Sequence, residues 1–381
     1  MSPTPVTFTS PTAPASYSWE ATDEEVSARY GVPLERVVRF DLNTSPAPPE
    51  LAARVLSQGR FETPLSEYAP SDYRRLVAAA ADRYGVDTAE VIVGAGADEI
   101  LDIVGKVYLP PGAVAVIPTP SYAMYRVITE QRGGRVDVVP RLGAAEGYAM
   151  DVPAVRLAAR SAAVVWLCSP NNPTALPEPD GAIEALLGGL AEDAATDSRD
   201  PAIVVLDEAY AEFVDRSLVD LRQRHPNLIV VRTASKAYGL AGLRVGFGIA
   251  RPEVISRLNP FRPPGSVSTV SVTVVTEALL DPSAAAANVA RVVGERERLR
   301  TALSALGWTV GPSVTNFVLV GLGSMERAAV VAEGLLRHGL VPRTFPAGHP
   351  LADHLRLTVR STEENDRLIE AARTLTGETP T

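Results

Sequence analysis

The chain has 381 residues, 46% of them hydrophobic, with 36 Lys and Arg against 45 Asp and Glu for a formal net charge of −9. The length suits two packed domains, and the acidic balance speaks against a nucleic-acid binder, whose binding face is basic. No run of about 18 apolar residues is present, so no membrane span is expected; the lone Cys168 rules out an intrachain disulfide and suits a reducing cytoplasm, and the four histidines form no metal-ligand pattern, so no metal site is expected.

Met1 to Tyr17 is rich in Ser, Thr and Pro and lacks the basic end and apolar stretch of a signal peptide. It reads as a mobile or docking arm within an N-terminal segment 1–38. Residues 39–65 are expected to contribute to a small domain, 66–264 to form a large domain and 265–381 to form the rest of the small one. Within the large domain, "VIVG" followed by "AGADEILDIVGKVYL" predicts a short strand, a glycine turn and an amphipathic helix. The runs "AVAVIPTPSY", "RVDVVP", "AAVVWLCSPNNP", "AIVVLDEAY", "LIVVRTASK" and "VGFGIA" are further strands. Asp180 to Ser198 is a crossover helix. Apolar strands separated by helix-length segments predict an α/β fold, a mostly parallel sheet covered by helices on both faces. After Pro264 the texture changes. One long Ala- and Arg-rich helical stretch is expected from Ser271 to Leu306. Two short strands in "WTVGPSVTNFVLVGL", a helix in "ERAAVVAEGLLRHG", a strand in "HLRLTVR" and a capped last helix complete a smaller α/β C-terminal domain.

The residues with the clearest chemistry lie at two strand ends. "VLDEAYAEF" delivers Asp207 and Tyr210, and "VVRTASKAYGLAGLRVGF" delivers Thr233, Ser235, Lys236 and Arg244. Ligands of parallel sheets bind beyond the carboxyl ends of the strands. A lysine there can form a Schiff base with an aldehyde cofactor. Pyridoxal 5'-phosphate needs such a lysine, a carboxylate for its ring nitrogen, a donor for its ring hydroxyl and a phosphate cradle. Lys236 and Asp207 fill the first two roles. Tyr210 and Asn172 can donate to the ring oxygen, and Thr233, Ser235 and Arg244 can hold the phosphate. The turn Gly94 to Glu99 opens a helix, so backbone N–H groups there, those of Ala97 and Asp98 among them, suit the same anion. Each feature alone has an ordinary explanation: a surface lysine, a helix-capping aspartate, a plain turn. Their ordered conjunction in one chain favours the cofactor.

The pieces "GAGADEI", "PTPSYAMY", "CSPNNPTA", "LDEAYAEF", "RTASKAYGLAGLRVG" and "HLRLTVRSTEEN" resemble the fold-type I aminotransferases, most closely the histidinol-phosphate aminotransferase group. The likeness runs from Tyr68 to about Arg373. It implies an aspartate-aminotransferase-like fold, a homodimer with shared active sites and transamination through Lys236. It further implies that Tyr122 stacks on the cofactor ring and that Tyr68 reaches the cofactor phosphate of the neighbouring subunit. Arg356 would grip the substrate carboxylate and Arg343 a substrate phosphate, both suited to the planar guanidinium fork. Histidinol phosphate is then the expected amino donor and 2-oxoglutarate the acceptor. The chain departs from its relatives at Ser45, where asparagine is usual, at Ala175, where glycine is usual, and at Arg360, again where many have glycine. These leave the donor open. An aromatic amino-acid aminotransferase would share every cofactor residue, and a decarboxylase of phosphorylated threonine is related. A catalytically inactive regulator is disfavoured by the intact Lys236, Asp207, Tyr210 and Arg244.

Overall fold

The computed structural model describes residues 16–376. Most of the Ser- and Pro-rich arm, with the docking or mobility expected of it, lies outside the described residues. Helix α1 (Asp23–Tyr30) starts where Thr22 and Glu25 cap each other reciprocally and stops at Gly31, whose φ of 69° is cheap only for glycine. Strand β1 (Val38–Arg39) and helices α2 (Glu50–Gln58) and α3 (Arg74–Tyr84) follow. The chain then alternates: β2 (Val91–Gly94), α4 (Ala97–Tyr108), β3 (Val114–Thr119), α5 (Met124–Gln131), β4 (Arg135–Pro140) and α6 (Val152–Ala159). It continues with β5 (Val164–Cys168), α7 (Ala182–Thr196), β6 (Ile203–Asp207), β7 (Leu228–Thr233), β8 (Gly246–Ile249) and α8 (Pro252–Leu258).

Strands β2 to β8 form one sheet in the order β2-β8-β7-β6-β5-β3-β4. Strands β3 to β7 pair in parallel, and β8 runs antiparallel to both neighbours. Side chains alternate between faces along a strand, and here both faces are buried. Trp166 and Cys168 of β5 join a core with Ile100, Ile128 and Ile255 from α4, α5 and α8. Val165 and Leu167 join another with Val155, Leu186 and Leu190 from α6 and α7. This double cover explains why the strands read as continuous apolar runs.

The single helical stretch expected from Ser271 to Leu306 is two helices, α9 (Thr269–Leu280) and α10 (Ser283–Ala305), meeting at 78°. Pro282 makes the break, because it has no N–H to donate and its ring would collide with a carbonyl one turn back. Helix α9 is buried with α2 and α3 in a core containing Leu51, Val55, Leu76, Val272 and Val275. The remaining elements are β9 (Thr309–Val310), β10 (Phe317–Gly321), α11 (Met325–Arg337), β11 (Leu340–Val341), β12 (His354–Thr358) and α12 (Thr362–Thr376). Strands β12-β10-β9 make an antiparallel sheet. Strand β1 pairs in parallel with β11, Val38 opposite Leu340, so the start of the described chain is built into the C-terminal layer. Phe40, Leu299, Trp308, Val320 and Leu368 form the core of that layer. Among the described residues no single helix is long and apolar enough to cross a membrane.

Candidate active site

Asp207 is the last residue of β6, and β7, which ends in Thr233, lies beside it with Val231 opposite Asp207. The Asp207 carboxylate is buried. It accepts from the Tyr125 hydroxyl at 2.9 Å and from the Ala209 N–H at 3.0 Å. Burial nevertheless outweighs these donors and lifts the carboxyl to about 6. Lys236 follows β7, and its Nζ donates to the Asn43 carbonyl at 3.2 Å. Burial depresses the amine to about 8, and the Arg356 charge acts in the same direction. Tyr210 accepts from Asn43 Nδ2 at 3.0 Å. Burial pushes its phenol above the ordinary value, so the ring keeps a proton to donate elsewhere.

An anion-binding corner lies beside this group. Helix α4 begins at Gly96 with no side-chain cap, leaving its first N–H groups available. Arg244 donates to Asp98 Oδ2 at 3.1 Å, and the Tyr122 hydroxyl donates to Asp98 Oδ1 at 3.0 Å. Gly246 pairs with Thr233 across the sheet. A β-carbon on Gly246 would stand 2.4 Å from the Ala97 nitrogen, and one on Gly96 would stand 2.5 Å from Arg244 Nη2. Gly246 is thus required for the close approach of β8 to the helix start, while at Gly96 the neighbour is the movable end of Arg244 and the φ of 83° is what favours glycine. Thr233 Oγ1 donates to Ser235 Oγ at 2.9 Å. Ala97, Asp98, Tyr122, Thr233, Ser235 and Arg244 therefore meet around one uncapped helix N-terminus.

Arg356, on β12, enters from the C-terminal layer and is buried. Its Nη1 donates to Asn172 Oδ1 at 2.6 Å and its Nη2 to the Asp41 carbonyl, while its buried Nε finds no partner among the described residues. Asn172 thus presents its carbonyl to Arg356 and keeps its amide N–H groups for another acceptor. Arg343 is bridged to Arg356 through the backbone, N–H to carbonyl at 3.1 and 3.0 Å in the two directions. Its side chain does not point to solvent: it is 15% exposed and donates to the Ser18 carbonyl at 2.6 Å. Tyr68 stands apart from this cluster. It is 90% exposed and lies against Gly265.

Three participants were not picked out from the sequence. Asn43 joins Lys236, Tyr210 and Asn316, whose Nδ2 donates to the Asn43 carbonyl at 2.9 Å. Tyr125 holds Asp207 and stacks on Trp166 at 5.5 Å. Their signals were present in "LNTSP", "SVTNF" and "PTPSYAMY", but a single Asn or Tyr has no periodicity that marks it. The departures are accommodated locally. Ser45 donates to the Ala47 carbonyl and to Asn288 Oδ1, whose amide in turn donates to the carbonyls of Lys236 and Ala237. Ala175 adopts a φ of 66°, the left-handed conformation that suits the glycine of its relatives. Arg360 reaches Thr44 and pairs with Glu364 at 3.0 Å.

A buried, readily deprotonated lysine, a buried carboxylate, a free phenol proton and an uncapped helix start beside an arginine fit a group carrying an aldehyde, a protonatable ring nitrogen, a hydroxyl and a phosphate. The chain matches the family model for class I and II aminotransferases over residues 40–371. It is 35% identical over 356 residues to the histidinol-phosphate aminotransferase of Roseiflexus castenholzii, covering 91% of this chain and 92% of that one. It is 36% identical over 363 residues to the enzyme of the same name from Symbiobacterium thermophilum, covering 93% and 94%. The crystal structure of histidinol-phosphate aminotransferase from Sinorhizobium meliloti, solved in complex with pyridoxal-5'-phosphate, superposes with a TM-score of 0.84 at 26% identity, over 94% of this chain and 95% of that one. Aspartate aminotransferase from Thermus thermophilus with maleate superposes at 0.75 and 25% identity, over 93% and 96%. With a site of this geometry at the carboxyl ends of a mostly parallel sheet, and a family match along nearly its whole length, the chain belongs to the class I and II aminotransferases.

Proposed function

We propose that the chain transfers an amino group from histidinol phosphate to 2-oxoglutarate, giving imidazole acetol phosphate and glutamate, with pyridoxal 5'-phosphate as cofactor. The observation that carries this reading is the likeness to relatives named histidinol-phosphate aminotransferase along about nine-tenths of both chains. When bound, the cofactor supplies an electron sink for the electron pair left on the substrate's α-carbon. Lys236 would hold its aldehyde carbon and then carry the proton to and from the α-carbon, which suits an amine brought down to about 8. Asp207 would hold the ring nitrogen, Tyr122 the ring face, and Tyr210 with Asn172 the ring hydroxyl. Thr233, Ser235, Arg244 and the N–H groups of Ala97 and Asp98 would hold the phosphate.

The two bridged arginines support a dianionic partner. Arg356 suits the α-carboxylate of 2-oxoglutarate, and Arg343 suits either its distal carboxylate or the phosphate of histidinol phosphate. The exposed Tyr68 fits a role across a subunit boundary, so the proposal includes a homodimer with shared sites, working in the cytoplasm. Residues 66–264 would form the cofactor-binding domain, with 39–65 contributing to a smaller domain made chiefly of 265–381. Mixing the holoenzyme with histidinol phosphate, phenylalanine, tyrosine, leucine or phosphothreonine while following cofactor absorbance tests the donor. Arg343→Ala is expected to lose about 2 kcal/mol in kcat/KM for histidinol phosphate, roughly thirtyfold, the low end for truncating a charge partner because this arginine already has one. Equal losses for phenylalanine, or a wild-type preference for phenylalanine, would favour the aromatic alternative.

A further inference from the structure

The arm residues Tyr17 to Glu20 fold back onto Arg343. Tyr17 lies under its guanidinium at 5.3 Å from the ring centroid and packs edge-on against Trp19 at 4.7 Å. Arg343 is itself bridged through the backbone to Arg356, so this part of the arm borders the substrate side of the site. Glu20 brings a carboxylate to the same place. Its Oε1 is 3.6 Å from Arg343 Nη1, and both side chains are largely shielded, 15% exposed for Arg343 and 17% for Glu20. What fixes Glu20 is its other neighbour. Thr344 donates its N–H to Oε1 at 2.8 Å and its hydroxyl to Oε1 at 2.9 Å. The carboxylate is therefore held by Thr344 and acts on Arg343 through space. It lowers the net charge without occupying the guanidinium's N–H groups, of which one on Nη1 is taken by the Ser18 carbonyl.

We propose that Glu20 is a specificity-determining residue that sets how strongly the site prefers a substrate bearing a distal anion. The inference rests on the assignment of Arg343 to that anion. Two physical effects act together. An incoming phosphate or carboxylate meets an arginine whose charge is already half answered, which weakens its attraction. An uncharged donor side chain, conversely, can settle beside Arg343 without leaving a shielded guanidinium uncompensated. Glu20 so narrows the gap between anionic and neutral donors, and the unused N–H groups of Arg343 still give an anion something to bind.

Glu20→Gln is the discriminating variant, because glutamine keeps an oxygen for the Thr344 N–H and hydroxyl while it removes the charge. The measurement is kcat/KM of the holoenzyme for histidinol phosphate, glutamate and phenylalanine in the wild type, Glu20→Gln, Arg343→Ala and the double variant. The ratio of either anionic donor to phenylalanine is expected to rise about fivefold in Glu20→Gln, the effect of a partly shielded ion pair. It is expected not to change when Glu20→Gln is added to Arg343→Ala, since the effect passes through that arginine. Parallel changes for all three donors would mean that Glu20 only anchors the arm, and would overturn the inference. So would an unchanged ratio, or a rise that persists without Arg343. A wild type that does not turn over histidinol phosphate would sink the proposed donor alone, since the ratio of glutamate to phenylalanine still decides the role of Glu20.

Discussion

Asp207→Asn is expected to stabilise the cofactor-free protein while removing its activity. Burial raises the Asp207 carboxyl from an ordinary 3.8 to about 6. At about 1.4 kcal/mol per pK unit, the ionised carboxylate costs the cofactor-free fold about 3 kcal/mol above pH 6. The sign follows from the raised value: between the two pKa values the folded protein binds more protons than the unfolded chain. The group's contribution is therefore most favourable below about pH 4 and is lost as pH rises through 6. At pH 5 about half of the cost is present. Asparagine avoids the charge but can accept from only one of Tyr125 and Ala209, which takes back about 1 kcal/mol. The expected net gain is about 2 kcal/mol at pH 8 and much smaller at pH 5. Urea unfolding of cofactor-free wild type and variant at the two pH values measures it. A variant less stable than wild type at pH 8, or a difference that does not depend on pH, would refute the reasoning. Transamination by the same variant should fall at least about a hundredfold, a barrier increase of about 2.7 kcal/mol, because the ring nitrogen loses its anionic partner.

Lys236→Ala should abolish the borohydride-fixable link between protein and pyridoxal phosphate, together with the absorbance of the bound form; a reducible link that survives would move the assignment to another lysine. Heterodimers of a Lys236→Ala chain with a Tyr68→Phe chain should recover part of the activity, since one of the two sites would hold both native residues. No recovery in verified heterodimers would place Tyr68 outside a shared site.

The elements were legible where a local pattern follows from local physics. Apolar runs ending in Asp207 and Thr233 marked parallel strands, and the glycine turn before Ala97 marked a helix start able to face an anion. Pro282 was also visible, but the alanine-rich texture on either side of it read as one helix. The bend became evident only when α9 turned to bury against α2 and α3. Asn43 was harder to identify, because what distinguishes it is contact with Tyr210, 167 residues away, and with Lys236, 193 residues away.

The sequence by itself determined the sheet, the strand ends and the chemical types gathered there, because periodicity, turn residues and the order of Asp207, Lys236 and Arg244 are properties of neighbours along the chain. The electrostatics of those groups were decided only by the tertiary structure. A carboxyl at about 6 and an amine near 8 come from burial by other elements. The carboxylate beside Arg343 comes from Glu20, which meets it and Thr344 from more than three hundred residues away. Desolvation and charge pairing depend on what lies within a few ångströms in space, and no spacing along the chain encodes that distance until the two layers pack.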